Sequence, residues 1–148
     1  MKEIENYLVR PSLIRRAIER AALPQGRVPT ELDVTRIIHQ FAEEMLDATQ
    51  DCYLTEFLNA DRKAGPASAN RKARVLMASK CAGVRGALGV VSGKELLSKL
   101  SNWSKAEFGV SFGVTTLLRL MDRNDVDREL EQFVSAIAHN RALNAMVH

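Results

Sequence analysis

Cysteine is scarce in this chain of 148 residues, which contains only Cys52 and Cys81. The two are far apart and neither belongs to a CxxC pair, so a disulfide framework and a thiolate zinc site have no support. Two reduced structural thiols are expected instead. Aromatic residues are also few, eight in all, which argues against an aromatic-rich β-sandwich. With 46% hydrophobic and 26% charged residues, the chain has the composition of one ordinary globular domain.

Long hydrophobic runs are absent as well. Residues 1–8 lack the basic start and the continuous apolar run of a secretory signal. The longest weakly polar stretch, residues 75–91, is interrupted by Lys80 and Arg85 and falls short of a membrane span. The sequence therefore predicts a soluble, cytoplasmic protein with no membrane partner.

Charge is distributed unevenly along the chain, although the net charge is only +3. Residues 31–61 carry eight acidic residues against Arg36 alone, a net charge of −7. Residues 62–105 carry ten basic residues against Glu95 alone, a net charge of +9. An acidic block thus directly precedes a basic one, and a basic block of this density indicates an interaction with an anionic partner.

Apolar residues repeat at helical spacing through most of the chain, which predicts an all-α protein, a compact bundle of five or six helices. Pro11 and Ser12 open the first helix. Thr30 and Asp33 have the spacing of an N-cap with an acidic first turn, and a long central helix is expected from there to about residue 59. Its apolar stripe comprises Val34, Ile38, Phe41, Met45, Ala48 and Cys52.

Glycine and proline punctuate the middle of the chain. Residues 61–70, with Gly65 and Pro66, predict a loop, and residues 71–81 predict a third helix. Glycines then recur at positions 83, 86, 89 and 93 and break regular structure. We expect a single helical domain over residues 1–148, with the glycine-rich stretch 83–93 as the candidate division between two subdomains.

The last third of the chain mixes two periodicities. Ser92 and Glu95 have the spacing of a capping box and predict a short helix. Residues 108–114 alternate with period two, which is a strand signal, so this segment is left open between strand and turn. Helical spacing then resumes. The face of the final predicted helix comprises Val126, Leu130, Phe133, Val134 and Ile137.

No catalytic, metal or cofactor motif is complete. Residues 89–94, GVVSGK, are similar to a phosphate-binding loop, but the first glycine is one residue too close and Glu95 replaces the Ser or Thr that would bind Mg²⁺. His39, Glu43 and Asp47 share one side of the long helix, yet no ExxH pair accompanies them. A solvated acidic face is the favoured interpretation, and the sequence predicts no enzyme, no metal site and no cofactor.

Residues 103–121 follow in part the order of a repressor helix-turn-helix. Gly109 and Gly113 fall where that motif needs small residues. Arg119 and Asp122, however, occupy positions that must be apolar to hold a recognition helix. A buried glycine-containing turn is therefore the favoured interpretation.

The basic block leads to the main functional hypothesis, a non-enzymatic protein that binds the nucleic acid backbone through residues 62–105. Phosphate attraction needs a density of lysine and arginine but no sequence motif. The alternative is a helical interaction or assembly module whose basic region meets an acidic surface of a protein partner. The candidate nucleic-acid-binding residues are Arg62, Lys63, Arg71, Lys72, Arg74, Lys80 and Arg85.

A homo-oligomer is also expected. Ile37, Leu46, Tyr53 and Phe57 widen the apolar stripe of the long helix, so a second copy is expected to complete its burial. The acidic and basic blocks can contribute salt-sensitive contacts to such an assembly.

Overall fold

The computed structural model describes residues 4–23, 26–63, 65–83, 85–126, 130–132, 134–136 and 138, and none of these lies in a β-strand. The α-helices of this part are α1 (Glu5–Leu8), α2 (Pro11–Ala21), α3 (Glu31–Glu44), α4 (Leu46–Ala60), α5 (Gly65–Cys81), α6 (Gly93–Phe108) and α7 (Val114–Leu120). Single turns of 3-10 helix lie at Gly86–Gly89 and Arg123–Asp125. The predicted all-α bundle is confirmed. The helices outnumber the predicted five or six because α1 is one turn and the long helix divides at Met45.

The hydrophobic core lies between α1, α2, α3, α6 and α7. Pro11 begins α2, where its fixed φ and missing N–H suit the first helical position. The predicted cap of α3 is present, since the Asp33 N–H donates to Thr30 Oγ1 at 3.1 Å and the Thr30 N–H donates to Asp33 Oδ2 at 3.0 Å. The most deeply buried core side chains are Leu8, Leu13, Ile14, Ile18, Val34, Ile38, Leu96, Leu100 and Leu117.

The long central helix is confirmed, but it bends at Met45 and only its first half lies in the core. The Met45 N–H donates to both Phe41 O at 3.2 Å and Ala42 O at 3.3 Å, so the turn tightens here. No residue of α4 is buried, and Ala48 and Cys52 are exposed. The prediction that these two residues continue the core stripe is therefore wrong, because the bend directs α4 away from the core.

The predicted loop 61–70 is wrong in its second half. Residues 65–70 are helical, and α5 begins at Gly65, where φ is +72°. Pro66 does not interrupt this helix, because a first-turn N–H has no helical acceptor and its absence costs nothing. The turn between α4 and α5 is thus short, and the two helices form a hairpin.

The glycine-rich stretch passes closely by the N-terminal segment. Its 3-10 turn, Gly86–Gly89, packs against α3 and α5. A Cβ placed on Gly93 would lie 2.5 Å from the backbone nitrogen of Asn6, so the start of α6 touches the chain of α1. The division into two subdomains at residues 83–93 stays a prediction.

The alternating segment after α6 is an extended connection. Ser92 caps α6 through the Glu95 N–H, as its spacing predicts, and Gly109 ends the helix at φ +71°. The prediction of a short helix is wrong, because the helix continues for 16 residues to Phe108. Val110 and Phe112 then point into the protein, and the Phe112 N–H donates to Ser101 Oγ at 3.0 Å. The period-two pattern therefore marks inward and outward side chains of a turn. Of the predicted final helix, Phe133 and Ile137 lie outside the described residues.

Candidate nucleic-acid interface

The α4–α5 hairpin, residues 46–81, carries most of the predicted site. Helix α5 packs principally against α4, and among the described residues of the hairpin only Leu46, at its base, packs against the main core cluster. With 15 and 17 residues, the helices are about 22 and 25 Å long. Arg62 and Lys63 are exposed in the turn at the tip. The hairpin therefore presents two long faces and a basic end to solvent.

The outward face of α5 is basic. Ala69, Ala73 and Met77 are the buried residues of this helix. At about 100° per residue, Arg71 lies opposite these three residues, Lys72 and Arg74 lie on the two flanks of the outward face, and all three cations are exposed. Val75, which is 65% exposed, lies in the middle of the same face.

These cations are available for an external partner. We define the basic surface as Arg62, Lys63, Arg71, Lys72 and Arg74. Arg71 and Arg74 lie about 9 and 14 Å along α5 from its start, so the basic surface extends from the tip to the middle of the hairpin. Within the described ranges, none of the five side chains forms an ion pair or a hydrogen bond. No acidic residue occurs in α5 to neutralise them.

Lys80 and Arg85 are placed differently. Lys80 Nζ donates to the Tyr53 hydroxyl at 2.7 Å and lies 4.8 Å from the centre of that ring, so it ties α5 to α4. Arg85 Nη1 donates to Asn6 O at 3.1 Å, and its guanidinium lies 5.1 Å from the centre of the Tyr7 ring. The structure therefore brings five of the seven candidate residues together and engages the other two in contacts within the chain.

The remaining basic residues of the block 62–105 lie on another element. Lys94, Lys99 and Lys105 belong to α6, which packs against α1 and α3. Lys99 Nζ lies 5.6 Å from the centre of the Phe41 ring. The single basic block of the sequence is thus divided between the hairpin and the exposed side of α6.

Helix α4 has the opposite charge to α5. Its charged residues are Asp47, Asp51 and Glu56, all exposed and without a basic neighbour on the same helix. The sequence divides an acidic block from a basic one at residue 61, close to the turn between these two helices. It does not predict that the two blocks lie side by side in one hairpin, because residues 61–70 are expected to form a loop and residues 71–81 a separate third helix.

Two other kinds of site are absent from the described residues, a metal site and a membrane-spanning helix. Within those ranges, no three His, Cys, Asp or Glu side chains come together in a group that could hold a metal ion. No described helix combines the length and the apolar character needed to cross a bilayer. Comparison of the chain with protein-family models, curated proteins and solved structures gave no match.

Proposed function

We propose that this protein is a non-enzymatic, cytoplasmic nucleic-acid-binding protein that uses the basic surface of the α4–α5 hairpin to hold the phosphate backbone. One observation carries the proposal. Five exposed cations follow one another from the hairpin tip along the outward face of α5, and no carboxylate lies on that helix. Phosphate attraction depends on such a density of unpaired cations rather than on a sequence motif. Lys80 and Arg85 are engaged in contacts within the chain and are not part of the basic surface.

The chemistry of the basic surface favours backbone contact over base stacking. No aromatic residue lies on the outward face of α5. Trp103 is half-buried on α6 and packs edge-on against Phe108, with ring centres 5.3 Å apart. Because single-strand binders rely on aromatic platforms, we expect the hairpin to bind duplexes with weak sequence preference.

The acidic residues of α4 orient the approach of a nucleic acid duplex to the hairpin. Asp47, Asp51 and Glu56 repel phosphate, whereas the opposite helix attracts it. An approaching duplex is therefore directed to the α5 side and the tip of the hairpin. This polarity explains why a protein with a net charge of only +3 is expected to bind a polyanion.

Salt dependence tests the proposal. We expect the affinity for a labelled mixed-sequence duplex, measured by fluorescence anisotropy, to fall linearly with salt on logarithmic axes. Replacing Arg71, Lys72 and Arg74 together with Gln should reduce the slope by about two to three, because each phosphate contact contributes about 0.9.

A matched control separates local contact from net charge. The triple replacement of Arg20, Lys105 and Arg119 with Gln also removes three exposed cations that form no ion pair within the described residues, none of them on the hairpin. Its slope should stay close to that of the unaltered protein. Absence of binding to duplex DNA and RNA at low salt would refute the proposal. The alternative, in which the basic surface binds an acidic surface of a protein partner, would then be favoured.

A further inference from the structure

We propose that two copies of this chain pair through one side of the α4–α5 hairpin to form a four-helix bundle with both tips at the same end. The proposal does not depend on nucleic acid binding, although it assigns Arg74 of the basic surface to the contact between copies and leaves Arg62, Lys63, Arg71 and Lys72 for phosphate. It starts from the poor burial of the hairpin. Helix α4 has no buried residue, and two of the three buried residues of α5 are alanines. A hairpin that buries so little apolar surface by itself gains stability from a second layer of helices.

One stripe of α4 suits such a layer. Asp47, Asp51, Leu54 and Leu58 follow the spacing i, i+4, i+7 and i+11, so they share one side of the helix. The two leucines are half-buried and the two aspartates are exposed. This stripe therefore has an apolar end near the hairpin tip and an acidic end near its base.

Helix α5 has a stripe of the same spacing. Asn70, Arg74, Met77 and Cys81 follow i, i+4, i+7 and i+11, and Arg74 is exposed. Both stripes are rotated in the same sense from the surface where α4 and α5 meet. Because the two helices are antiparallel, a local twofold axis relates them and places both stripes on one side of the hairpin. We define this side as the pairing face.

Charge complementarity selects the partner and its orientation. The exposed charges of the pairing face are acidic on α4 and basic on α5. A second copy with its tip at the same end places α4 against the partner's α5, so unlike charges meet. The opposite orientation would place α4 against the partner's α4, which brings like charges together and costs affinity.

The register of the hairpin pairs two particular residues. Asp51 lies nine residues before Ala60, the end of α4, and Arg74 lies nine residues after Gly65, the start of α5. The two are therefore at the same height above the tip. Within the described part of the chain neither side chain forms an ion pair. Asp51 of each copy can therefore pair with Arg74 of the other, which gives two equivalent contacts related by the twofold axis.

Charge reversal tests this pairing. At high micromolar concentration and low salt, size-exclusion chromatography with light scattering should give twice the chain mass of 16.5 kDa. Asp51→Lys alone and Arg74→Glu alone should each raise the dimer dissociation constant about tenfold or more, since like charges then face each other. An equimolar mixture of the two variants should form a heterodimer, because Lys faces Glu in one contact and Arg faces Asp in the other.

Control variants use the other side of the hairpin. Glu56 and Lys72 are exposed and point away from the pairing face, so Glu56→Lys and Lys72→Glu should both remain dimeric. Circular dichroism checks that each variant is folded. If Asp51→Lys does not fold, Asp51→Asn takes its place in the measurement of dimer affinity. A monomeric unaltered protein, or a mixture that does not form the heterodimer, would overturn the proposal. The mass of the unaltered protein without nucleic acid reports on pairing alone, and duplex binding by the unaltered protein reports on the proposed function, so failure of one is distinguishable from failure of the other.

Discussion

The Asp125 carboxylate joins α2 to the segment after α7. It is only 3% exposed and accepts hydrogen bonds from Arg16 Nη1 at 2.8 Å and from the Asp122 N–H at 2.9 Å. Burial raises the pKa of Asp125, but the Asp122 backbone and Arg16 outweigh that effect, and the pKa lies below its ordinary value. Arg16 also donates to Leu120 O, so one guanidinium holds the end of α7 in place.

Asp125→Asn is expected to destabilise the fold by about 2 kcal/mol at neutral pH, because it removes a charged acceptor from a buried pair. A carboxylate with a lowered folded-state pKa contributes stability above its unfolded value of about 3.9 and loses it as the pH falls. The difference between the variant and the unaltered protein, measured by urea denaturation, should therefore shrink below about pH 4. Glu19→Gln, which breaks the exposed pair of Arg15 and Glu19, should cost less than about 1 kcal/mol. Equal losses in the two variants would contradict this account.

Gly93→Ala tests the close approach of α6 to the N-terminal segment. The added Cβ would lie 2.5 Å from Asn6 N and 2.7 Å from its Oδ1, and the backbone atom cannot move aside alone. We expect a loss of about 1–3 kcal/mol by thermal or urea denaturation, despite the better helix propensity of alanine. At Gly89 the nearest atom would be 3.5 Å away and φ is not positive, so Gly89→Ala should be neutral or slightly stabilising. A neutral Gly93→Ala would show that the contact is not tight.

Individual helices were predictable wherever a local rule decides their ends. The spacing of Thr30 with Asp33 and of Ser92 with Glu95 placed two helix starts correctly. The direction of α4 was not predictable from the sequence. Its outward face carries small residues such as Ala48 and Cys52, which are as compatible with a buried apolar stripe as with an exposed one. The start of α5 was missed because Gly65 and Pro66 act as loop residues or as a first helical turn, depending on the neighbouring helix.

The distribution of charge over the whole molecule was only partly predictable. The block 62–105 contains the basic surface, but the same block also supplies Lys94, Lys99 and Lys105 to α6. Sequence distance cannot show that Arg85 turns toward Asn6 and Tyr7. The hairpin thus separates an acidic helix from a basic one, and this polarity underlies both the proposed nucleic-acid binding and the proposed pairing of two copies.

Backbone-amide NMR spectra recorded with and without a short duplex at low salt test whether the hairpin holds the phosphate backbone. We expect the largest shift changes at Arg62 and Lys63 and along residues 71–75, and we expect added salt to reverse them. Amides of α6 near Lys99 should change little. Largest changes on α6, or no changes at low salt, would contradict the account.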